Sequence, residues 1–329
     1  MTKNIILLAL CSMLLAPCSP VEAQQTGKVP RIGFLDASTG SGSAVLVGAF
    51  RQELSKIGWI EGKNIAIEYR FAEQKFERLP ELAAELVRLK VDLIVVSGRA
   101  PGLAAKKATT TIPILMTSFP DPVGAGLVAS LARPGGNVTG FSSLTSELHS
   151  KRLEILRDAI PNLARVGVLR QAGAPLREDI RLSDLRGAVA LLKLKLEEIE
   201  TQVDAKSLES AFETAKQKKV NAIIIGGGLL FFAERKRIVE FAIKHRMPAI
   251  YSQDEFVDEG GLMSYGTDNA DLYRRAAVYV DKILKGAKPA DLPVQQATKF
   301  EFVINLKAAK QIGLTIPPDV LARANKVIK

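Results

Sequence analysis

Few residues in this chain suit chemistry that needs an imidazole, a thiolate or a bound metal. It has two histidines, His149 and His245, and two cysteines, Cys11 and Cys18. Neither type recurs at a spacing that would hold zinc. A Ser-His-Asp triad would have to use one of the two histidines, and no G-x-S-x-G elbow is present. Both histidines fall on expected helices. His245 lies near a helix end where a positive charge is favoured, so both are read as structural. The run Ile225–Leu230 (I-G-G-G-L-L) has the glycines of a phosphate loop but lacks the G-x-G-x-x-G spacing, and no Lys-Ser or Lys-Thr follows. It reads as a strand-to-helix turn where backbone approaches a ligand or another lobe.

Non-covalent binding is better served. Small polar side chains cluster where expected parallel strands end, and α/β sheets bind ligands outside the carboxyl ends of their strands. In the first half of the chain these are Ser38 and Thr39, then Ser97, Gly98 and Arg99, then Thr117, Ser118, Phe119 and Asp121. In the second half they are Arg170 and Gln171, then Gly226 and Gly227, then Tyr251, Gln253 and Asp254. Such a set suits a small polar or zwitterionic molecule with an apolar body. Arg99 or a free helix N-terminus can take a carboxylate, Asp121 or Asp254 an amine, and Phe119 and Tyr251 can flank a ring. Each has a structural alternative: Asp121 as a cap, Phe119 as core, Arg99 as surface.

The elements that must position these residues alternate. An apolar run at Arg31–Asp36 precedes a helix marked by Leu46, Ala49, Phe50, Leu54 and Ile57, with Gly58 as its stop. Ile65–Arg70 alternates as an outer strand, and Leu79, Leu82, Ala83, Leu86 and Leu89 mark a second helix. Strands at Leu93–Val96 and Ile114–Thr117 follow. Beyond the latter, Asp121 reads as an N-cap and Pro122 as the first residue of a helix running past Val123, Leu127, Val128 and Leu131 to Pro134. That predicts an anion-favouring helix start in the wall of the site. The second half repeats the plan. Its expected strands are Arg165–Leu169, Leu194–Ile199, Ala222–Ile225, Pro248–Tyr251, Leu262–Tyr265 and Phe300–Ile304. Alternation of this kind specifies parallel sheets with helices on both faces.

The first residues read as an export leader: Lys3, an apolar run from Ile5 to Leu15 too short to cross a bilayer, and Val21-Glu22-Ala23 at the cleavage spacing. Leu15-Ala16-Pro17-Cys18 loosely resembles a lipobox, but the proline before the cysteine argues against lipidation. Both cysteines lie in this leader, so the expected mature chain carries no disulfide. The net charge of +10 is scattered among acids rather than gathered into a basic tract, which argues against nucleic acid as a partner.

Four segments carry a family likeness. They are Asp121–Gly124 together with Arg133–Gly140, then Gly260–Gly266, then Ile283–Val294 (I-L-K-G-A-K-P-A-D-L-P-V), and Phe302–Lys307. Through them the chain resembles the ABC transporter substrate-binding family that includes tryptophan- and tyrosine-type binding proteins. The resemblance implies a type I periplasmic-binding-protein fold of two Rossmann-like lobes with three hinge crossings. Lobe one would take residues 29–142 and about 266–292, and lobe two residues 143–265 and about 293–329. It further implies a periplasmic receptor, a small-molecule solute, a permease in the inner membrane, no cofactor and no catalysis, and we expect a monomer. Ser97-Gly98-Arg99, Arg170-Gln171 and the triple glycine depart from the family's usual residues at sites that would line the pocket, so an aromatic or hydrophobic amino acid does not transfer automatically. A periplasmic sensor feeding a signalling receptor would use the same fold. A DNA-binding regulator would need a helix-turn-helix where the leader stands, and an exported enzyme is disfavoured by the scarcity of His and Cys.

Overall fold

The structure, a computed structural model, describes residues 29–144, 148–172, 180–225 and 229–329. The expected leader, residues 1–23, and the candidate residues Gly226 and Gly227 lie outside the described residues.

The strands are β1 (Arg31–Asp36), β2 (Ala66–Phe71), β3 (Leu93–Ser97), β4 (Ile114–Phe119), β5 (Val138–Ser142), β6 (Arg165–Gln171), β7 (Lys195–Thr201), β8 (Ala222–Ile225), β9 (Ala249–Tyr251), β10 (Met263–Thr267), β11 (Gln295–Gln296), β12 (Phe300–Asn305) and β13 (Lys326–Ile328). The helices are α1 (Ala44–Lys56), α2 (Leu79–Arg88), α3 (Arg99–Ala108), α4 (His149–Ala159), α5 (Ile180–Leu191), α6 (Ala205–Gln217), α7 (Leu229–Ala233), α8 (Arg235–Lys244), α9 (Glu255–Asp258), α10 (Asn269–Leu284), α11 (Leu306–Ile312) and α12 (Pro318–Ala322).

Two sheets form. The first has the order β11-β5-β4-β3-β1-β2 and the second β13-β12-β10-β9-β8-β6-β7. The pairing is parallel throughout, except that β12 runs antiparallel to β10. Helices cover both faces, so the central strands read as continuous apolar runs, as in the fully buried β8 (A-I-I-I). The expected two-lobe α/β architecture is therefore what the chain adopts. The order of each sheet reverses once, between β1 and β3 in the first and between β6 and β8 in the second. Those switch points are where such sheets leave a crevice.

The last long helix of the chain packs in the first lobe. Helix α10 follows β10 but buries Leu272, Tyr273, Ala276, Tyr279 and Val280 in the core around Ile32, Phe34 and Phe141. Trp59 Nε1 donates to Asp281 Oδ1 at 2.9 Å and fixes its outer face. The chain then stays with lobe one longer than the proline-rich link at Lys288–Pro293 suggests. Val294 is buried in the first lobe's other core cluster, and Gln295 and Gln296 pair with β5. The return to the second sheet thus falls at residues 297–299, not near 293, and the second sheet runs to Thr267 rather than to 265.

The expected helix after Asp121 is absent. Asp121 Oδ1 accepts from Gly124 N at 2.8 Å, and Ala125 N and Leu127 N reach back to Asp121 and Pro122 carbonyls. Gly126 then takes φ +71, and the turn ends. The apolar spacing at Leu127 and Val128 still serves the core, but as an irregular segment over α3 rather than as a helix face. No helix N-terminus exists at this point to hold an anion.

Gly140 of β5 has φ +133, and a Cβ there would lie 2.2 Å from the Met116 carbonyl oxygen of β4. Gly140→Ala should therefore destabilise the first lobe by more than about 2 kcal/mol, measured by chemical denaturation with circular dichroism.

Candidate functional site

The chain passes between the two sheets three times, after β5, after β10 and after β11. After β5, Ser143 N donates to Phe119 O at 3.0 Å and Ala297 N to Ser142 O at 2.8 Å, joining the first crossing to the third. Thr267 Oγ1 donates to Ser143 O, joining the second to the first. Asp268 N donates to Lys299 O at 3.1 Å, joining the second to the third. Beneath them Arg152 of α4 is fully buried. Its Nε donates to Tyr265 O at 2.7 Å and its Nη1 lies 3.5 Å from His149 Nδ1. Desolvation lowers its pKa to about 10, with Tyr265 acting in the opposite direction. His149 is therefore a buried structural residue beside the crossings.

On lobe one, the end of β1 carries Asp36, a residue the sequence reading passed over. Burial pushes its carboxyl up, and hydrogen bonds from Ser38 N and Ser43 Oγ, both 2.8 Å, counter that. Ser38 is buried in this turn, and Thr39 Oγ1 accepts from Gly42 N at 2.9 Å. The 38–43 loop is therefore folded by its own hydroxyls. At the end of β3, Ser97 Oγ accepts from Tyr273 Oη at 2.6 Å. Gly98 takes φ +84 to turn the chain into α3, and Arg99, the first residue of that helix, is exposed. At the end of β4, Thr117 is buried and donates to Val96 O at 3.3 Å. Ser118 Oγ donates to Asn269 Oδ1 of α10 at 3.3 Å, so a residue just past the second crossing joins this wall.

Two sequence expectations change. Phe119 is 0 % exposed and packs under Gly102, whose hypothetical Cβ would lie 2.9 Å from its ring. It is core, not a plate for a ligand ring, because a register shift between Met116 and Phe119 in β4 turns it inward. Asp121 is exposed and spends one oxygen on its own turn.

On lobe two, Gln171 ends β6 exposed, while Arg170 is tied to Glu198 at 3.0 Å and Glu200 at 3.7 Å across the pair with β7. Tyr251 ends β9 fully buried, its ring stacked on Phe256 with centroids 4.7 Å apart. It too cannot flank a ligand ring by its face. Its hydroxyl, with Ser252 Oγ and Ser264 Oγ, has no hydrogen-bond partner among the described residues. Gln253 and Asp254 are half-buried. Next to them Glu255, also passed over in the sequence, has a pKa raised to about 7 by burial and then by the Asp254 charge and hydrogen bond, against a smaller pull from Arg235.

An open groove of about 560 Å³ is lined by Lys151 and Ile155 of α4, by Tyr265, Phe300 and Phe302 of the second sheet, and by Asp268 and Lys299 of the second and third crossings. It borders the crossings rather than the loops after β1, β3, β4, β6 and β9.

This arrangement of two switched sheets and three laced crossings defines a two-lobe binding protein. The sequence profile of ABC transporter substrate binding proteins matches residues 38–328, and the chain belongs to that family. It is 28 % identical over 265 residues to a tyrosine-binding protein of Clostridioides difficile, covering 80 % of this chain and 75 % of that one. A Streptococcus pneumoniae ABC-domain structure in complex with L-Trp superposes with a TM-score of 0.83 at 26 % identity, covering 92 % of this chain and 100 % of that one. A conserved domain protein from Vibrio cholerae superposes with a TM-score of 0.82 at 28 % identity, covering 91 % and 100 %. The fold is thus the type I periplasmic-binding-protein fold, and the relatives are substrate-binding proteins rather than enzymes.

Phe119→Ala is expected to cost roughly 3–5 kcal/mol of stability, the range for truncating a buried aromatic, measured by urea denaturation. A ligand-plate role would instead lower affinity while leaving the denaturation midpoint in place.

Proposed function

We propose that this chain is the extracytoplasmic solute receptor of an ABC importer and that its cleft takes an aromatic or hydrophobic amino acid. The carrying observation is a reversal of strand order in each of two sheets, in lobes joined by three hydrogen-bonded crossings. The printed ligand of the pneumococcal relative and the name of the clostridial one support the choice of ligand.

In this reading Ser97, Gly98, Arg99 and Ser118 from lobe one, with Asn269, meet Gln171, Gln253 and Asp254 from lobe two, and Gly226 and Gly227 are further candidates of lobe two by sequence position. Ser38, Thr39 and Thr117 support lobe one from behind. A receptor of this kind works by closing, and closure follows only if the ligand binds the closed form more tightly than the open one. Both lobes must therefore supply contacts. The closed form docks on a permease in the inner membrane, and the chain acts as a monomer in the periplasm. The basic, apolar, small-residue order of residues 1–23 supports export.

The test is calorimetric titration of the protein with L-tryptophan, L-tyrosine, L-leucine and the same side chains without an amino acid backbone. A micromolar ligand corresponds to about −8 kcal/mol, and at ~100 times its Kd it should add about 2.7 kcal/mol to thermal stability. Arg99→Ala and Gln253→Ala should each weaken binding. Unchanged affinity in the lobe-two variant would overturn the two-wall reading, and silence from every amino acid would overturn the ligand class.

A further inference from the structure

Cations that lie far apart in the sequence are gathered by the fold at one end of the second sheet. Strands β9, β8, β6 and β7 lie side by side and run parallel. The turns that enter them therefore share the edge opposite the strand ends of the candidate site. The chain entering β6 brings Arg165, and that entering β7 brings Lys193 and Lys195. Lys216, Lys218 and Lys219 precede β8, and Lys244 and Arg246 precede β9. Arg165 and Lys195 are paired in register, as are Val166 with Ala222 and Ile223 with Ala249. With about 4.8 Å between neighbouring strands, the row spans about 15 Å.

Few carboxylates answer this row. Glu197 takes Arg165 at 2.9 Å and Lys218 at 3.3 Å, and Glu209 takes Lys244 at 2.5 Å. Lys193, Lys195, Lys216, Lys219 and Arg246 are exposed and stand in no ion pair among the described residues. Lobe one has similar turns at its own base and does not gather charge there. Its turn into β2 holds Glu61 and Lys63, its turn into β3 holds Lys90 and Asp92, and Thr109–Pro113 before β4 holds no charge.

Attraction of a cation to the carboxyl end of a helix explains part of the row. Lys193, Lys219 and Arg246 follow α5, α6 and α8 in the left-handed region, as Lys90 follows α2 in lobe one. It does not explain Lys195, which begins a strand, or the apolar side chain beside it. Leu191, the last residue of α5, is 85 % exposed, more than any other large apolar side chain among the described residues. It opens the run L-L-K-L-K-L, in which Leu192, Leu194 and Leu196 pack against the lobe's core while Lys193 and Lys195 point to solvent.

An exposed leucine beside a row of lysines matches a lipid headgroup layer. The leucine enters the boundary with the acyl chains and the ammonium groups meet the phosphates. A nucleic acid would leave the leucine unused, since its single strands are held on aromatic or guanidinium planes.

We propose that the base of lobe two is a contact surface for an anionic phospholipid membrane, seated on Leu191 and on Lys193, Lys195, Lys216, Lys219 and Arg246. The surface lies at the far end of the second sheet from the candidate solute residues, so the contact is independent of which solute the protein takes. It holds the protein at a bilayer although no helix among the described residues is long and apolar enough to cross one.

The experiment is co-sedimentation of the full chain with vesicles of phosphatidylcholine alone and of phosphatidylcholine with an equal part of phosphatidylglycerol. Anionic vesicles should be preferred at low ionic strength, and strong salt should remove the preference. One basic residue near such a surface is worth about fivefold in partitioning. Lys193→Gln with Lys195→Gln should therefore weaken binding about 25-fold. Adding Lys216→Gln and Lys219→Gln should bring anionic vesicles down to the level of neutral ones. Leu191→Ser should weaken binding about tenfold. Lys63→Gln with Lys90→Gln, which removes as much charge from the base of lobe one, should change it less than about twofold. Every variant keeps residues 1–23, so any pull of the apolar run Ile5–Leu15 on vesicles is common to all. Equal partitioning onto both kinds of vesicle, or equal losses from the lobe-one and lobe-two pairs, overturns the proposal. So does a DNA duplex that binds as tightly as the anionic vesicles and loses nothing in Leu191→Ser, since the row is then a general polyanion site.

Discussion

The molecule depends on the lacing of its three crossings. Single chain segments passing between two lobes would act as independent tethers. Here, instead, Ser142–Ala297, Ser143–Thr267 and Asp268–Lys299 join each crossing to the other two. Lys299 Nζ adds an ion pair to Asp271 at 2.6 Å, so the third crossing is also pinned to the first turn of α10. Arg152 sits under that lace. A buried guanidinium is expensive to desolvate, and its depressed pKa reflects that cost. Its bond to the Tyr265 carbonyl joins α4, which follows the first crossing, to the strand that precedes the second.

Much of this was legible in the sequence. Ala222–Ile225 is a strand at its expected bounds, because a short run of Ala and Ile between a turn and glycines has one comfortable place, inside a parallel sheet. Alternation of strands and helices gave the two-lobe class. Crossing positions were less legible. Val294 looks like the end of a proline-rich link, and only its burial against the first lobe's core reveals that β11 follows. The 121–131 segment misled for a local reason. Its cap and its apolar spacing are those of a helix, but Gly126 in the left-handed region and the tight Asp121–Gly124 turn break it after a single turn.

The candidate site divides the same way. Strand ends placed Ser97, Ser118, Gln253 and Asp254 at or just past the ends of β3, β4 and β9, since that depends only on where strands stop. Depth was invisible. Phe119 and Tyr251 look like ring-binding residues by type, yet both are interior. One is turned inward by a shift of register in β4, and the other is roofed by a four-residue helix too short to leave a periodic signal. Tyr273 and Asn269 were missed because their partners, Ser97 and Ser118, lie far along the chain, and Asp36 because its burial leaves no trace in the sequence. Glu255 adjoins a residue already chosen. Its significance comes from burial and from Asp254, neither of which composition reports.

The two walls differ in one physical respect that bears on how the protein works. Lobe one's polar groups are largely satisfied from within: Asp36 by Ser38 and Ser43, Ser97 by Tyr273, Thr117 by Val96, Ser118 by Asn269. Such a wall costs little to hold ready, and it binds by adding to an existing network. Lobe two is less so. Among the described residues, Tyr251, Ser252 and Ser264 keep buried hydroxyls without a hydrogen-bond partner. Leaving such a group unmade costs of the order of 1–3 kcal/mol. Tyr251 and Ser264 lie in the interior of the lobe, Tyr251 roofed by Phe256, so that cost belongs to the lobe's own packing and is the same whether or not the lobes meet.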